Sequence, residues 1–513
     1  MNMRPIAGGF LAGSLLILAL LAACARPLTE PDEQRVAEQE TRAHRTELAD
    51  ARDAMKQRER LAMPMIAAGY APPPWATEPP SRENYAHHDD NPVQLAAETP
   101  VSTFSVDVDT GSYANLRRWL NEGRLPPMDA VRVEEMINYF NYAYAPPASR
   151  EQPFSVTTTL APAPWNENAL LLQVGLKGYA IERSERPAAN LVFLVDVSGS
   201  MQSPDKLDLL KQGLGLLVSQ LEARDRVSLV VYAGASGVVL PPTAGDRKGE
   251  IRAALSQLAA GGSTNGAAGI RLAYDMARQG FIENGINRVL LATDGDFNVG
   301  TVNFEELVDL VERERDSGIT LTTLGFGTGN YNDQLMEQLA DKGNGNYAYI
   351  DTAREAQKLL VEEMSATMFV IANDVKAQVE FNPALVAEYR LIGYENRLLN
   401  REDFNNDKVD AGDIGAGHTV TALYEIVLAD SEARRVDDLR YRAADVHVQV
   451  PHPDDAELAW LKLRYKLPGE THSRLIEQPV QLGAELPLAN TNADFRFAAA
   501  VAAFGQKLRG GKY

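Results

Sequence analysis

Cysteine is almost absent, with one residue in 513. That excludes an intramolecular disulfide and every metal site built on several thiolates. Positive charge is also scarce: 50 Lys and Arg stand against 70 Asp and Glu, a net charge of −20. No basic footprint remains to neutralise phosphates, which excludes a nucleic-acid partner and a polybasic membrane-surface protein. His418, His447, His452 and His472 lie on or beside strand-like runs without a paired nucleophile. There is neither a Gly-x-Ser-x-Gly elbow nor a P-loop. What is present, 45% hydrophobic and 23% charged residues, is an ordinary globular composition over a length that suggests about three domains.

The single cysteine is informative by its place. After Arg4, an apolar run from Ile6 to Ala23 ends in Leu21-Ala22-Ala23-Cys24. A short positive start, an apolar stretch and small residues at a boundary make a secretory signal peptide. The alternative is an uncleaved membrane helix, because the run approaches the ~20 residues that span a bilayer. The Leu-Ala-Ala-Cys ending resembles the lipobox of bacterial lipoproteins. The resemblance implies a diacylglycerol on Cys24, which would anchor the chain to a membrane. Ala25 stands where an aspartate would signal inner-membrane retention. The expected location is therefore the cell envelope, at the outer membrane facing the periplasm if the cell is Gram-negative.

Composition shifts divide the rest. Asp32 to Leu61 is rich in Glu, Arg, Gln and Ala with too few apolar positions for a core-facing stripe. Pro72-Pro73-Pro74, Pro79-Pro80 and the polar run to Asp90 continue it as an extended linker, and His87-His88-Asp89-Asp90 reads as a solvated loop. From Asn190 to about Met368, apolar runs at 191–195, 227–233, 288–293, 320–326 and 347–350 alternate with helical spacing such as Leu207, Leu210, Leu214, Leu217 and Val218. Alternation of this kind predicts a parallel sheet covered on both faces. Runs at 375–381, 389–394, 418–427, 446–450 and 460–465 alternate as strands, and an alanine-rich helix spans 495–508. The two earlier strand runs, 154–160 and 170–176, are too few to bury a face alone, so they are expected to join the later ones in one sandwich. The organisation expected is a signal peptide over 1–23 and a tether over 24–100, disordered or a solvated helix. A small α+β region over 101–185 follows, then a doubly wound, mainly parallel α/β domain over 189–368, and a mainly β region over 370–513.

Polar motifs sit at the strand ends of the α/β domain. Leu191–Val195 runs into Asp196-Val197-Ser198-Gly199-Ser200; Gly261-Gly262-Ser263-Thr264 precedes a helix; Arg288–Thr293 ends at Asp294-Gly295. Three loops at one sheet edge thus converge three hydroxyls and two carboxylates, where doubly wound sheets bind ligands. Hard oxygen donors suit Mg²⁺, with Mn²⁺ or Ca²⁺ as alternatives, and no thiolate or imidazole is present to select zinc or copper.

This arrangement resembles the metal-ion-dependent adhesion site of von Willebrand factor type A domains, whose motif is Asp-x-Ser-x-Ser, then a threonine, then an aspartate. Asp196, Ser198, Ser200, Thr264 and Asp294 match all five positions in order. The resemblance implies that the serines, and often the threonine, contact the ion directly while the aspartates act largely through water. Ser102–Asp109, Val131–Phe140 and Tyr389–Asn396 resemble a family of bacterial lipoproteins, the YfbK-like proteins, in which a type A domain lies between dedicated flanking regions. Members of that family continue beyond the alanine-rich helix, so a truncated last segment is expected. The function implied is a non-enzymatic, membrane-tethered module whose ion is completed by an Asp or Glu of a partner protein. Two alternatives are a metal-dependent hydrolase, which lacks a spare His or Glu in the motif loops to act as base, and an accessory subunit of an AAA-type ATPase, which the signal peptide opposes.

Two weaker signals have simpler readings. Asp403-Phe-Asn405-Asn-Asp407-Lys-Val-Asp410 spaces oxygens like a calcium loop but carries Lys408 at the turn glycine and Ile414 at the bidentate glutamate, so a polar turn is expected. Asp107 and Asp109 invite a metal, but a helix N-cap accounts for Asp109.

Overall fold

A computed structural model describes residues 83–107, 109–262, 266–295, 304–437, 457–483 and 485–511. The signal peptide, Cys24, the tether as far as residue 82, Thr264 and the strand expected at 446–450 lie outside the described residues.

The first four strands are β1 (Gln94–Leu95), β2 (Val101–Ser105), β3 (Phe154–Ala163) and β4 (Asn166–Gly178), with helices at Gly111–Asn121 and Val133–Asn138 between β2 and β3. A separate sheet follows, from β5 (Ala189–Asp196), β6 (Arg226–Tyr232), β7 (Ser236–Ala244), β8 (Ile286–Thr293), β9 (Thr320–Phe326) and β10 (Tyr347–Ile350), in the order β10-β9-β8-β5-β6-β7. All its neighbours run parallel except β7, which folds back antiparallel on β6. All eight residues of β5 are buried. Leu191, Phe193 and Val195 face the helix Leu209–Gln220, while Val192 and Leu194 face the helices Gly266–Gln279 and Phe304–Asp316. A strand apolar on both faces is what a sheet covered on both sides requires.

The chain then enters β11 (Val370–Phe381), β12 (Val386–Ile392), β13 (Gly412–Gly415), β14 (Thr419–Leu428), β15 (Glu457–Lys466) and β16 (Arg474–Gln481), ending in the helix Ala493–Arg509. One sheet runs β1-β12-β14-β4-β3, and in the other β11 carries β15 on one edge and β2 on the other. Phe154, Leu172 and Tyr424 from the first sheet share one core with Val379, Phe381 and Leu463 from the second. The strands before and after the parallel sheet therefore do build one sandwich, and the α/β unit is inserted between β4 and β11. On the outer face of the first sheet, Ala498, Ala499 and Ala502 of the last helix pack with Met136 and Ile137 of the helix Val133–Asn138. Gly505 completes this close approach: a Cβ there would meet the Met136 sulfur at 3.0 Å.

Two expectations need correcting. Residues 83–100 pack as part of the fold, although they were assigned to the tether. The Asn91 amide, 6% exposed, donates to the Leu391 and Gly393 carbonyls, Glu83 pairs with Arg118, and β1 adds to β12. These ties are polar, so apolar periodicity could not reveal them. Asp109 does not cap the helix Gly111–Asn121, whose N-cap is Thr110 without a side-chain bond; its carboxylate accepts from the Tyr347 amide at 2.7 Å and pairs with Arg397. The edge strand β7 contains Pro241 and Pro242, which mask its strand character and are tolerated because an edge leaves backbone groups unpaired. At 403–410 the structure has the expected polar turn: Asp403 accepts from the Asn400 amide, Asp407 pairs with Arg464 and Asp410 with Arg315.

Candidate metal centre

β5 and β8 are neighbouring parallel strands, so their carboxyl ends place Asp196 and Asp294 side by side. Both carboxylates are fully buried. Asp196 shapes the turn that follows it: Oδ1 accepts from the Ser198 amide at 2.8 Å and Oδ2 from the Thr293 hydroxyl at 2.9 Å. The turn is pinned from outside as well. Gly261 N–H donates to the Val197 carbonyl at 2.7 Å, and Gly199 N–H to the Gly262 carbonyl at 3.1 Å. The glycine loop that leads into Thr264 is thereby held against the Asp196–Ser200 turn, while Thr264 itself is outside the described residues. Gly295, at φ +83°, closes the turn after Asp294 where a Cβ would meet the Asn332 amide at 2.4 Å.

The Ser198 and Ser200 hydroxyl oxygens stand 2.9 Å apart. Two adjacent ligands of an octahedral ion bound at 2.0–2.1 Å would stand about 2.9 Å apart. The donor set therefore fits a small hard cation: hydroxyls at the right spacing, backed by two buried carboxylates. Burial raises the Asp196 carboxyl above the usual range, bonds from Ser198 and Thr293 oppose this, and the neighbouring Asp294 adds to it. A cation here would relieve that burden.

Sequence reasoning missed Lys206. Its ammonium donates to Asp294 Oδ2 at 2.9 Å, with the side chain 9% exposed. Gly327 makes room for the stem, since a Cβ there would lie 2.1 Å from the Lys206 Cε. The available signal was a lysine preceding Leu207, at the start of a helix otherwise read for its leucines. Asp107, Asp109 and Asp341 also gather, with oxygens within 4.8 Å of one another. Arg397 sits among them, 2.9 Å from Asp107, 3.0 Å from Asp109 and 2.8 Å from Asp341, so a guanidinium already supplies the positive charge.

Comparison with known proteins agrees with this architecture. Family models described as von Willebrand factor type A domain, von Willebrand factor, and "Uncharacterized protein YfbK, C-terminal" match residues 190–363, 79–173 and 366–513. Type A domains mediate protein interactions and commonly bind a divalent metal at this motif. The YfbK protein of Escherichia coli (strain K12) is 51% identical over 440 residues, covering 85% of this chain and 75% of that one. Human inter-alpha-trypsin inhibitor heavy chain H3 is 24% identical over 264 residues, 47% of this chain and 29% of that one. Among solved structures, a von Willebrand factor type A protein from Catenulispora acidiphila matches 66% of this chain and 75% of its own, with 15% identity and a TM-score of 0.40. With the inserted type A domain, the matching C-terminal region and half-identity along most of its length, the chain belongs to the YfbK family.

Proposed function

We propose that this protein is a non-enzymatic binding module, tethered to the cell envelope through a lipid on Cys24, that holds a partner protein through a divalent ion. Ser198, Ser200 and Thr264 would hold Mg²⁺, with Asp196 and Asp294 behind them, and an Asp or Glu of the partner would complete its shell. The observation that carries this reading is the 2.9 Å spacing of the two serine hydroxyls above a pair of buried carboxylates. Among the described residues two carboxylates stand behind the ion, and Lys206 already offsets one of them. The ion therefore keeps Lewis acidity for an outside carboxylate. The net charge of −20 opposes an acidic partner only weakly on approach, because salt screens charges beyond about 8 Å.

The test is capture of envelope proteins by the detergent-solubilised full chain, in Mg²⁺ and in EDTA, beside Asp196→Ala. The expected result is a partner retained by the wild type in Mg²⁺ and lost in EDTA and in the variant. Capture indifferent to both treatments would move the binding surface off the metal centre. Mass spectrometry of the mature amino terminus checks the anchor separately: a lipid-modified Cys24 is expected, and an unmodified one removes the tether from the proposal.

A further inference from the structure

A cavity of about 370 Å³ lies at the amino-terminal ends of β8 and β9, between the parallel sheet and the sandwich. Its walls come from three places: Arg288 and Leu324 of the sheet, Leu360 and Thr367 of the segment that leads into β11, and Lys177 and His418 of the sandwich. The size is that of a small-molecule site.

Arg288 is 2% exposed. Its guanidinium donates only to neutral acceptors: Nε to the Thr320 hydroxyl at 2.9 Å, and Nη1 to the Thr322 hydroxyl at 3.2 Å and to the Thr367 carbonyl. Among the described residues Nη2 has no acceptor, and no carboxylate forms an ion pair with Arg288. Burial pushes this guanidinium down to about 10, with Asp413 opposing from a neighbouring cavity. Asp413 is itself engaged by the Asn373 amide at 2.9 Å and the Asp374 N–H. A guanidinium buried without a counter-charge is costly unless something supplies one.

The other polar groups on the cavity wall have the same character. Lys177 donates to the Gly417 carbonyl at 2.7 Å, and burial lowers its ammonium. The His418 ring has no hydrogen-bond partner among the described residues. Burial, then Lys358 and Lys177, push it down to about 4, so at pH 7 it is neutral and offers one N–H. Two carboxylates also line the wall: Glu363 pairs with Lys358 at 2.9 Å, and the exposed Glu362 accepts from the Gln357 amide at 3.2 Å. Two cations thus face one cavity beside a neutral imidazole, and among the described residues neither forms an ion pair with a carboxylate. Guanidinium groups suit carboxylate and phosphate in particular.

We infer that this cavity binds a small, doubly charged oxyanion, a phosphate or dicarboxylate group, held by Arg288, Lys177 and His418. The site is independent of the metal centre. A ligand there would bridge the inserted α/β unit and the sandwich, because each contributes part of the wall.

The experiment is calorimetric titration of the full chain in EDTA with inorganic phosphate and, separately, succinate, at constant ionic strength. Saturable binding of at least one anion is expected. It should weaken about tenfold or more in Lys177→Met and in Arg288→Lys, as loss of a charge-assisted hydrogen bond implies, and stay unchanged in Asp196→Ala. Lys177→Met guards against Arg288→Lys failing to fold, since Lys177 lies on the sandwich wall. Binding of phosphate alone identifies a phosphoryl ligand and of succinate alone a carboxylate; either supports the site. Absence of saturable binding for both anions, or equal binding in the wild type and both cavity variants, overturns it.

Discussion

At the scale of single residues, Lys206 would decide how the proposed metal centre behaves without an ion. Its ammonium neutralises a carboxylate that is 0% exposed. Breaking a buried pair by removing one partner typically costs about 3–5 kcal/mol, because the remaining charge is uncompensated. Lys206→Met keeps most of the apolar stem and removes the charge. In EDTA this variant should melt well below the wild type, by the equivalent of about 3 kcal/mol. In Mg²⁺ much of the loss should return, since the ion supplies the missing positive charge. Thermal unfolding in the two buffers checks this, and equal Mg²⁺-induced shifts in both proteins would contradict it. Removing the ammonium also removes a repulsion toward the incoming cation, so titration should show tighter Mg²⁺ binding.

At the scale of elements, the proposed metal centre is a consequence of strand order. β5 and β8 are parallel neighbours, so a carboxylate ending each one lands at the same edge. β13, by contrast, lies where the sandwich meets the inserted unit, and it carries Asp413. Burial pushes this carboxyl up to about 7, against bonds from Asn373 and Asp374. An unfolded aspartate titrates near 3.9. Between those values the folded chain keeps a proton that the unfolded chain releases. The stability from this group is complete below pH 4 and is lost as pH rises toward 7. Asp413→Asn stays neutral throughout, so its melting temperature should gain on that of the wild type from pH 5 to pH 7.5. A pH-independent difference between the two would show that Asp413 is ionised in the folded state.

At the scale of the whole molecule, the inserted unit is tied to its surroundings by buried charge as well as by apolar contact. Arg397, from the sandwich side, pairs with Asp107, Asp109 and Asp341, the last on the helix Asp333–Lys342 of the inserted unit. Arg132 pairs with Asp333 on the same helix at 2.6 Å, and Arg117 with Asp351 and Glu355. Arg397→Gln removes the guanidinium that three carboxylates share. It should lower stability by about 3–5 kcal/mol and separate calorimetric unfolding into two transitions, one for each unit. A single transition at the wild-type temperature would mean that apolar packing alone couples them.

Much of this was legible in the sequence because it is local. The strands at 320–326 and 347–350 emerged at their observed limits, since a buried parallel strand is a short apolar run between turn residues. Asp196, Ser198, Ser200 and Asp294 follow their strands closely, so the chain alone placed them at the carboxyl ends of strands, and the pairing of β5 with β8 brought the two carboxylates together. Other features depend on partners distant in sequence. Whether Asp109 caps a helix or pairs with Arg397, 288 residues away, is settled by which surface the helix meets. β7 is a strand because an edge tolerates Pro241 and Pro242. Lys206 is a counter-ion because the fold brings it to Asp294, 88 residues on. The sequence by itself determined the strands, the helices and the motif loops, whose signals are spacing and backbone chemistry within a few residues. Tertiary structure decided the charge pairing and the Arg288 cavity, because the energy of a buried charge depends on its three-dimensional neighbours and not on its place in the chain.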